Sequence, residues 1–279
     1  MQRRCRSSKT CSPSSATILS WDSPHMNASV SAYTAHAPLQ PRDATLHGTL
    51  SLPALCAHLQ DAAGAHATQL GVSQTDLLAQ NQSWVLARLQ VELDRLPTWR
   101  DTLTIETWPS GLSGPFAQRE FLFRVDAEAV GRATSTWVVF DQTRRRPARP
   151  PQVLSELTWP DRPPALSADI PEVEVPAQPD YTRRFRVRFH DLDLNRHVNN
   201  ARYVAWALET LPIGWLDAHA ARGLTLHFKS ETTANTPVAA TATVFAGGPE
   251  HAPLRVVHHL YHADDDTTLA LAETRWAVR

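Results

Sequence analysis

The sequence predicts an α+β fold made of two similar halves, each combining one long helix with an antiparallel sheet. Two observations lead to this prediction. A helical pattern followed by a run of strand-like segments occurs twice along the chain, and a proline-dense stretch separates the two runs. The composition agrees, because 42% hydrophobic and 20% charged residues are typical of a packed globular protein.

The first half begins with a helix. Ser51 can accept a hydrogen bond from a free N–H of the first turn, and Pro53 is tolerated there because that turn needs no proline N–H. Gly71 ends the helix, since glycine readily adopts the left-handed conformation found after helix ends. The apolar stripe of this helix consists of Leu55, Leu59, Ala62, Ala63 and Leu70.

Four strand-like segments follow the first helix. In one of them the apolar Leu103 and Ile105 alternate with Thr104 and Glu106, which predicts a strand with one buried face. The four segments span 84–93, 101–108, 117–125 and 131–140.

The second half repeats this order, with one short strand placed before its helix. A single helix laid across a curved antiparallel sheet would cover the apolar face of that sheet. The predicted elements are a strand at 183–189, a helix at about 199–211, and strands at 224–231, 237–245, 254–262 and 268–278.

The regions outside the two halves differ in composition. Prolines disfavour helices and central strands, so we predict an extended linker at 143–180 between halves at 31–142 and 181–279. Residues 1–30 are rich in serine and basic residues. We expect this segment to be a disordered leader, either a transit peptide or sequence upstream of a start at Met26.

Charge, hydropathy and cysteine spacing exclude several classes of function. A net charge of −1 gives no global field toward nucleic acid or a membrane. No apolar run approaches the ~20 residues that a membrane-spanning helix needs. Because Cys5, Cys11 and Cys56 form neither a CxxC pair nor a zinc-type cluster with histidines, we expect no metal and no other cofactor.

The segment "DLDLNRHVNN" at 191–200 collects polar side chains at the mouth of the second helix. A helix N-terminus presents unpaired N–H groups, which would polarise a carbonyl placed there, and Asn199 or Asn200 can cap it. In an extended stretch every second side chain projects to the same side, so Asp191 would lie on the same side as Asp193. From the residues alone, catalysis and ordinary capping explain the pattern about equally well. The three alternating candidates are Asp193, Asn195 and His197.

These patterns together resemble the acyl-acyl carrier protein (acyl-ACP) thioesterases, which have a double hotdog fold. The resemblance covers about 45–279 and includes "LPALCAHLQDAAGAHATQLG", "WVLARLQVELDRLPTWRDTLTIETWPSG", "DLDLNRHVNNARYVAWALETLP" and "LTLHFKSE". It implies a tandem hotdog, with Glu231 supplied by the next long strand and with one catalytic set: Asp193, Asn195, His197 and Glu231. In plant members a cysteine often follows that glutamate. Thr232 stands here instead, which favours attack by water assisted by a carboxylate.

The resemblance also implies an activity and a partner. The expected reaction is hydrolysis of fatty acyl-ACP, releasing free fatty acid. An acyl-CoA thioesterase and a non-hydrolytic acyl-binding hotdog protein are the alternatives. The expected substrate-binding residues are Asn199 and Asn200 near the helix and, in the acyl pocket, Leu55, Leu59, Ala62 and Ala63. Arginines that could meet the acidic carrier protein are Arg144, Arg145, Arg146 and Arg149, or Arg183 and Arg184.

Assembly and location are predicted from the sequence as well. Neither nucleic acid nor stable membrane insertion is expected, and a homodimer is the candidate assembly. The expected location is the cytoplasm, or the plastid if residues 1–30 are a transit peptide.

Aligning the two halves predicts one active site per chain. The catalytic run falls near Thr45, His47 and Thr49 of the first half, and Glu231 falls opposite Asp94. Because the first half lacks the catalytic set, we expect it to supply the acyl tunnel, mainly from residues 52–93.

Overall fold

The computed structural model describes residues 31–167, 169–245 and 254–279. The leader expected at 1–30 lies outside the described residues. Each half contains a long helix and five main strands, and the first half also holds a short helix, α2, directly after its long helix α1. The elements of the first half are β1 (Tyr33–Pro38), α1 (Leu52–Gln69), α2 (Gln74–Leu78), β2 (Gln82–Leu93), β3 (Thr102–Ser113), β4 (Phe116–Val125) and β5 (Glu128–Asp141).

The second half follows a connecting region that is not wholly extended. That region contains a two-residue strand, β6 (Arg146–Pro147), and one short helix, α3 (Gln152–Glu156). The second half then comprises β7 (Tyr181–Arg186), α4 (Asn200–Glu209), α5 (Ile213–Ala218), β8 (His219–Phe228), β9 (Pro237–Phe245), β10 (Leu254–His262) and β11 (Thr268–Val278).

The ten main strands form one antiparallel sheet, as the repeated helix-and-strand order predicts. Its strand order is β1-β3-β4-β5-β2-β8-β11-β10-β9-β7, so the two halves meet where β2 pairs with β8. The helices α1 and α4 pack against each other, and their apolar residues join those of both halves in one core. The tandem arrangement expected for a double hotdog is therefore confirmed. No helix in the described residues is both long and apolar enough to cross a membrane.

The two halves share detailed geometry as well as element order. Tyr33 in β1 pairs with Thr107, and Tyr181 in β7 pairs with Ala242 at the corresponding register. A tight turn precedes both long helices. In the first half Thr45 N–H donates to Thr49 O (2.7 Å) and Gly48 N–H donates to Thr45 O (2.9 Å). The equivalent bonds of the second half are Asp193 N to His197 O (2.8 Å) and Arg196 N to Asp193 O (3.1 Å).

Two predicted strands end earlier than expected. The strand predicted at 183–189 stops at Arg186, because Phe189–Asp191 form a 3₁₀ turn. The strand predicted at 224–231 runs from His219 to Phe228, so Glu231 lies in the loop beyond β8 and not on a strand. Within that loop, Thr232 O accepts from Val198 N–H (3.1 Å), which ties Glu231 to the turn before α4.

Candidate active site

Residues 193–197 form a turn, so the prediction of an extended stretch at this position is wrong. Asp193 Oδ1 accepts from the backbone N–H of Asn195 (2.8 Å) and of His197 (3.3 Å). Arg196 closes the turn in the left-handed region, with φ +63°. The Asp193 carboxylate therefore organises the turn, which is the structural role that aspartate often plays in such sequences. Its second oxygen, Oδ2, lies 3.4 Å from Asn195 Nδ2.

His197 and Glu231 form a second polar pair. His197 Nε2 lies 3.4 Å from Glu231 Oε2, and each side chain is about one third exposed, at 35% and 36%. An imidazole and a carboxylate at this separation can share or relay a proton, and both remain accessible to water. The loop position of Glu231 brings its carboxylate to the turn that carries His197.

Two glutamines of the first half contact the asparagines of the second. Gln74 Nε2 donates to Asn195 Oδ1 (3.0 Å), and Asn200 Nδ2 donates to Gln60 Oε1 (2.9 Å). Nothing in the sequence pattern of either half signals these pairs, since their members lie more than a hundred residues apart along the chain.

The two asparagines at the start of α4 have different roles. Asn199 is the N-cap, because its Oδ1 accepts from Ala201 N–H (2.9 Å). Asn200 is the first residue of the helix, and no acceptor for its backbone N–H is found among the described residues. Asn200 therefore brings both an amide side chain and a free backbone donor to the mouth of the helix.

Asp191, which shares the parity of the catalytic run, is a structural residue. Its Oδ2 accepts from Arg188 N–H (2.8 Å), and its Oδ1 lies 3.5 Å from Arg202 Nε. The side chain is nearly buried and lines neither of the cavities described below.

Tyr203 is a site residue that sequence reasoning missed. It lies on α4, lines the open cleft and faces Glu231. Burial raises the pKa of its phenol, and the charges of Glu231 and Asp193 add to that increase, so Tyr203 stays a neutral donor. Its position in an apolar helical pattern gave no signal beyond core packing. Next to it, the hydroxyl oxygen of Thr232 is buried and has no hydrogen-bond partner among the described residues.

Two cavities meet at this cluster. An open cleft of about 840 Å³ contains His197 and Glu231. A smaller, mostly apolar cavity of about 230 Å³ extends from it between α1 and the sheet. Four residues line both cavities and so mark their junction: Trp84, Asp193, Asn195 and Asn200. A carbonyl at the junction would have the cleft on one side and the apolar cavity on the other.

The apolar cavity agrees only partly with the expected acyl pocket. All four residues predicted to line it belong to the buried core cluster, and of these Ala63 also borders the cavity, whereas Leu55, Leu59 and Ala62 do not. The 52–93 region provides part of the wall. Strands β3–β5 and the connecting region provide much of the rest: Pro109, Ala117, Gln118, Arg119, Trp137, Leu154 and Trp159.

A half-buried cation, Arg119, borders the apolar cavity. Arg119 Nη1 donates to His66 Nδ1 (3.0 Å) and to Thr107 Oγ1 (3.2 Å). Because arginine only donates, His66 must accept at Nδ1 and is neutral. Burial, followed by the charge of Arg119, lowers the pKa of His66 to about 4, and burial lowers the pKa of Arg119 to about 10. Arg119 therefore stays charged near neutral pH.

The arginines expected to meet a partner differ in their contacts. Arg145 lines the open cleft and adopts a left-handed conformation, with φ +50°. Arg144 pairs with Asp141 (3.2 Å), and Arg183 pairs with Glu209 (3.2 Å). Lys229 also lines the cleft, on the same wall as Glu231. Within the described ranges, no group of three or more His, Cys, Asp or Glu side chains could hold a metal ion.

Two family models together match most of the chain. A family model described as the acyl-ACP thioesterase N-terminal domain matches residues 31–157. A second, the acyl-ACP thioesterase C-terminal domain, matches residues 176–278.

Individual relatives point the same way. The chain is 29% identical over 246 residues to the chloroplastic palmitoyl-acyl carrier protein thioesterase of Gossypium hirsutum, covering 82% of this chain and 59% of the relative. It is 30% identical over 240 residues to the chloroplastic dodecanoyl-[acyl-carrier-protein] hydrolase of Umbellularia californica, covering 81% of this chain and 62% of the relative. The chain thus spans about three fifths of the length of these curated relatives. Its fold matches the solved 12:0-ACP thioesterase of Umbellularia californica with TM-score 0.80 at 26% identity, covering 91% of this chain and 95% of that one.

Proposed function

We propose, because this chain belongs to the acyl-ACP thioesterase family, that it hydrolyses the thioester of fatty acyl-ACP and releases free fatty acid. The observation that supports this proposal most directly is the junction of the two cavities. There, the side chains of Asn195 and Asn200 border both an apolar cavity suited to an acyl chain and an open cleft that carries His197 and Glu231.

The thioester carbonyl is proposed to lie at this junction. As water attacks, the carbonyl oxygen gains negative charge and needs donors that are already in place. Asn195 Nδ2 and the free backbone N–H of Asn200 would supply them. The positive end of the α4 dipole lies behind the Asn200 N–H and adds to the stabilisation.

The attacking water is proposed to enter from the open cleft. Glu231, in contact with His197, would accept a proton from this water as the C–O bond forms, giving a tetrahedral oxyanion. Collapse of that intermediate breaks the C–S bond, and the pantetheine thiolate leaves with a proton returned by the His197–Glu231 pair. The products are a carboxylic acid and the free thiol. Asp193 would hold the turn that aims Asn195 and His197.

The acyl chain is proposed to occupy the smaller cavity. Its walls are mostly apolar and include small residues of α1 and several tryptophan rings: Ala63, Gly64, Ala67, Trp84, Trp137 and Trp159. Burying each methylene there contributes about 0.8 kcal/mol, which gives the enzyme a means of selecting chain length. Arg119 limits how much of this space a plain hydrocarbon can use, because desolvating a cation is costly.

The carrier protein is proposed to dock at the open mouth of the cleft. Arg145 and Lys229 line that mouth, and an acidic carrier protein with a phosphopantetheine arm offers complementary charge. Replacing Arg145 by Glu should raise KM for acyl-ACP several-fold with little effect on kcat, and added salt should narrow the difference from wild type. An unchanged KM at low salt would place the docking surface elsewhere. Replacing Arg183, which pairs with Glu209 and does not line the cleft, provides a matched control.

The alternatives are separated by one series of assays. Purified protein is given the same acyl group on carrier protein, on CoA and on pantetheine, and free thiol is followed over time. We expect kcat/KM to be highest on the carrier protein. Higher kcat/KM on CoA would indicate an acyl-CoA thioesterase. Binding of acyl-ACP without release of thiol would indicate an acyl-binding protein.

Assembly and location complete the proposal. A homodimer is the proposed assembly, and light scattering on the purified chain tests it. The proposed location is the plastid if residues 1–30 are removed as a transit peptide, as the word "chloroplastic" in the relatives' names suggests, and the cytoplasm otherwise. Mass spectrometry of the mature N-terminus distinguishes the two.

A further inference from the structure

A three-member hydrogen-bond chain links β2 of the first half to the catalytic turn of the second. Trp84 N–H donates to Gln74 Oε1 (3.0 Å), and Gln74 Nε2 donates to Asn195 Oδ1 (3.0 Å). Gln74 is the first residue of α2, a helix held by a reciprocal pair of bonds between Ser73 and Asp76. The cap therefore holds the turn that carries Gln74, and β2 holds its side chain.

The donor and acceptor groups themselves determine the direction of each hydrogen bond in this series. A backbone N–H can only donate, so the oxygen of Gln74 must face Trp84. The NH₂ group of Gln74 must then face Asn195, which can accept this hydrogen bond only through its Oδ1. The Nδ2 group of Asn195 is therefore turned the other way, beside Asp193 Oδ2 at 3.4 Å. One of its two hydrogens can point to that carboxylate, which leaves the other for a further acceptor.

We propose that Gln74 is a positioning residue that holds the Asn195 amide with its NH₂ group toward the reacting carbonyl. An asparagine amide can rotate by half a turn and exchange donor for acceptor at little cost in shape. With the opposite orientation, Asn195 would present an oxygen to a developing oxyanion and would repel it. The first half, acting at the amide oxygen while Asp193 acts at the NH₂ group, thus contributes to selecting one of two orientations, in addition to forming the acyl cavity. This inference rests on the proposed function, in which Asn195 stabilises the oxyanion.

The pair at Asn200 shows that the orientation is specific to each amide. Gln60 Nε2 donates to the Cys56 carbonyl (3.1 Å), so its oxygen must accept from Asn200 Nδ2. Asn200 consequently turns its side-chain oxygen away from Gln60, whereas Asn195 turns its NH₂ group away from Gln74. Two first-half glutamines, each anchored to backbone, orient two second-half asparagines in opposite directions.

The substitution Gln74→Glu tests the proposal because it removes one donor at nearly constant shape, and the negative charge that it adds is controlled for separately. The new carboxylate can still accept from Trp84 N–H, but it cannot donate to Asn195 Oδ1. It then competes with the Asp193 carboxylate for Asn195 Nδ2, so the amide no longer has a single favoured orientation. Loss of an oxyanion donor typically costs ~10²–10³-fold in kcat, so we expect a fall of about 10²-fold with KM little changed. Gln80→Glu adds the same charge at an exposed position just after α2 and should leave kcat unchanged.

A double-mutant cycle separates positioning from other effects. In the Asn195→Ala background there is no amide to turn, so Gln74→Glu should then lower kcat by less than about threefold. A full loss in that background would overturn the proposal, because Gln74 would be acting by direct charge repulsion or through the fold. Equal kcat for wild type and Gln74→Glu would overturn it as well. Thermal unfolding of every variant checks that the fold is retained.

A second readout does not need turnover. The side-chain NH₂ resonances of Asn195, assigned by their loss in Asn195→Ala, should shift strongly in Gln74→Glu and hardly at all in Gln80→Glu. Unmoved resonances in Gln74→Glu would refute the positioning role. If wild type hydrolyses no acyl-ACP but the resonances shift as expected, the proposed function fails while the hydrogen-bond inference stands.

Discussion

The same substitution at two neighbouring alanines of α1 should affect different properties of the protein. Ala62 and Ala63 are both nearly buried, at 2% and 6% exposure, but only Ala63 borders the apolar cavity. Replacing Ala63 by Leu adds three carbon atoms to the cavity, whereas replacing Ala62 by Leu forces the same atoms into a packed core. The first change should alter substrate choice, and the second should alter stability.

The size of the first effect follows from the burial of methylenes. Three added carbons displace about three methylenes of the acyl chain, and each forfeits about 0.8 kcal/mol. The sum of about 2.4 kcal/mol corresponds to a fall of about 60-fold in kcat/KM for the longest chain that wild type accepts. Chains shorter by three or more carbons should be hydrolysed as before. For Ala62→Leu, overpacking should cost about 1–3 kcal/mol of unfolding free energy, with the chain-length profile unchanged.

The assay measures kcat/KM for a series of saturated acyl-ACP substrates, together with thermal unfolding of each variant. A profile that keeps its longest substrate in Ala63→Leu would show that the acyl chain lies elsewhere. A shortened profile in Ala62→Leu that matches the one in Ala63→Leu would show that the change acts through helix displacement and not by filling the cavity.

Two further predictions concern the polar residues. Glu231→Gln should lower kcat by about 10²–10⁴-fold in single-turnover hydrolysis, as expected for loss of a general base, and Asp193→Asn should also lower it because the turn loses its charged acceptor. Thr232→Ala should change kcat little, and near-wild-type rates in both carboxylate variants would refute the mechanism. For His66 the folded pKa is about 4, below its usual 6.5, so the unfolded chain binds the proton first. Stability should thus be full above pH 6.5 and fall by about 3 kcal/mol as pH drops toward 4. His66→Gln should flatten that part of a plot of Tm against pH, and an unchanged slope would assign the loss to other groups.

The fold was predictable because its signals are local and occur twice. Periodicity predicts each long helix and most strands, and the antiparallel order follows from their succession. The end of β8 was not predictable in this way, since the strand-like pattern of 224–231 continues past Phe228. Beyond Phe228 the N–H groups of Lys229 and Ser230 both donate to Leu269 O, and the bond from Val198 N–H to Thr232 O then ties the loop to the turn before α4.

The candidate site was predictable in its residue types but not in its geometry. Alternation suggested one face of an extended stretch, whereas a turn closed by Arg196 brings Asp193, Asn195 and His197 together. Helical periodicity also cannot tell Ala62 from Ala63, because a stripe about 100° wide includes both. Gln74 and Tyr203 could not be identified at all, because their importance depends on partners that only the folded chain brings near.

The first half separates the contribution of the turn from that of its side chains. Its turn has the same hydrogen bonds, and Leu50 N–H donates to Pro97 O (2.8 Å) where Val198 N–H donates to Thr232 O. This match places Leu96 opposite Glu231, so the earlier alignment with Asp94 is wrong by two residues. The turn therefore carries Thr45, His47 and Thr49 with no carboxylate at the matching loop position. Backbone geometry is common to both halves, and chemistry depends on what the second half adds to it: an acid in the loop, an asparagine in the turn and a first-half glutamine to orient that asparagine.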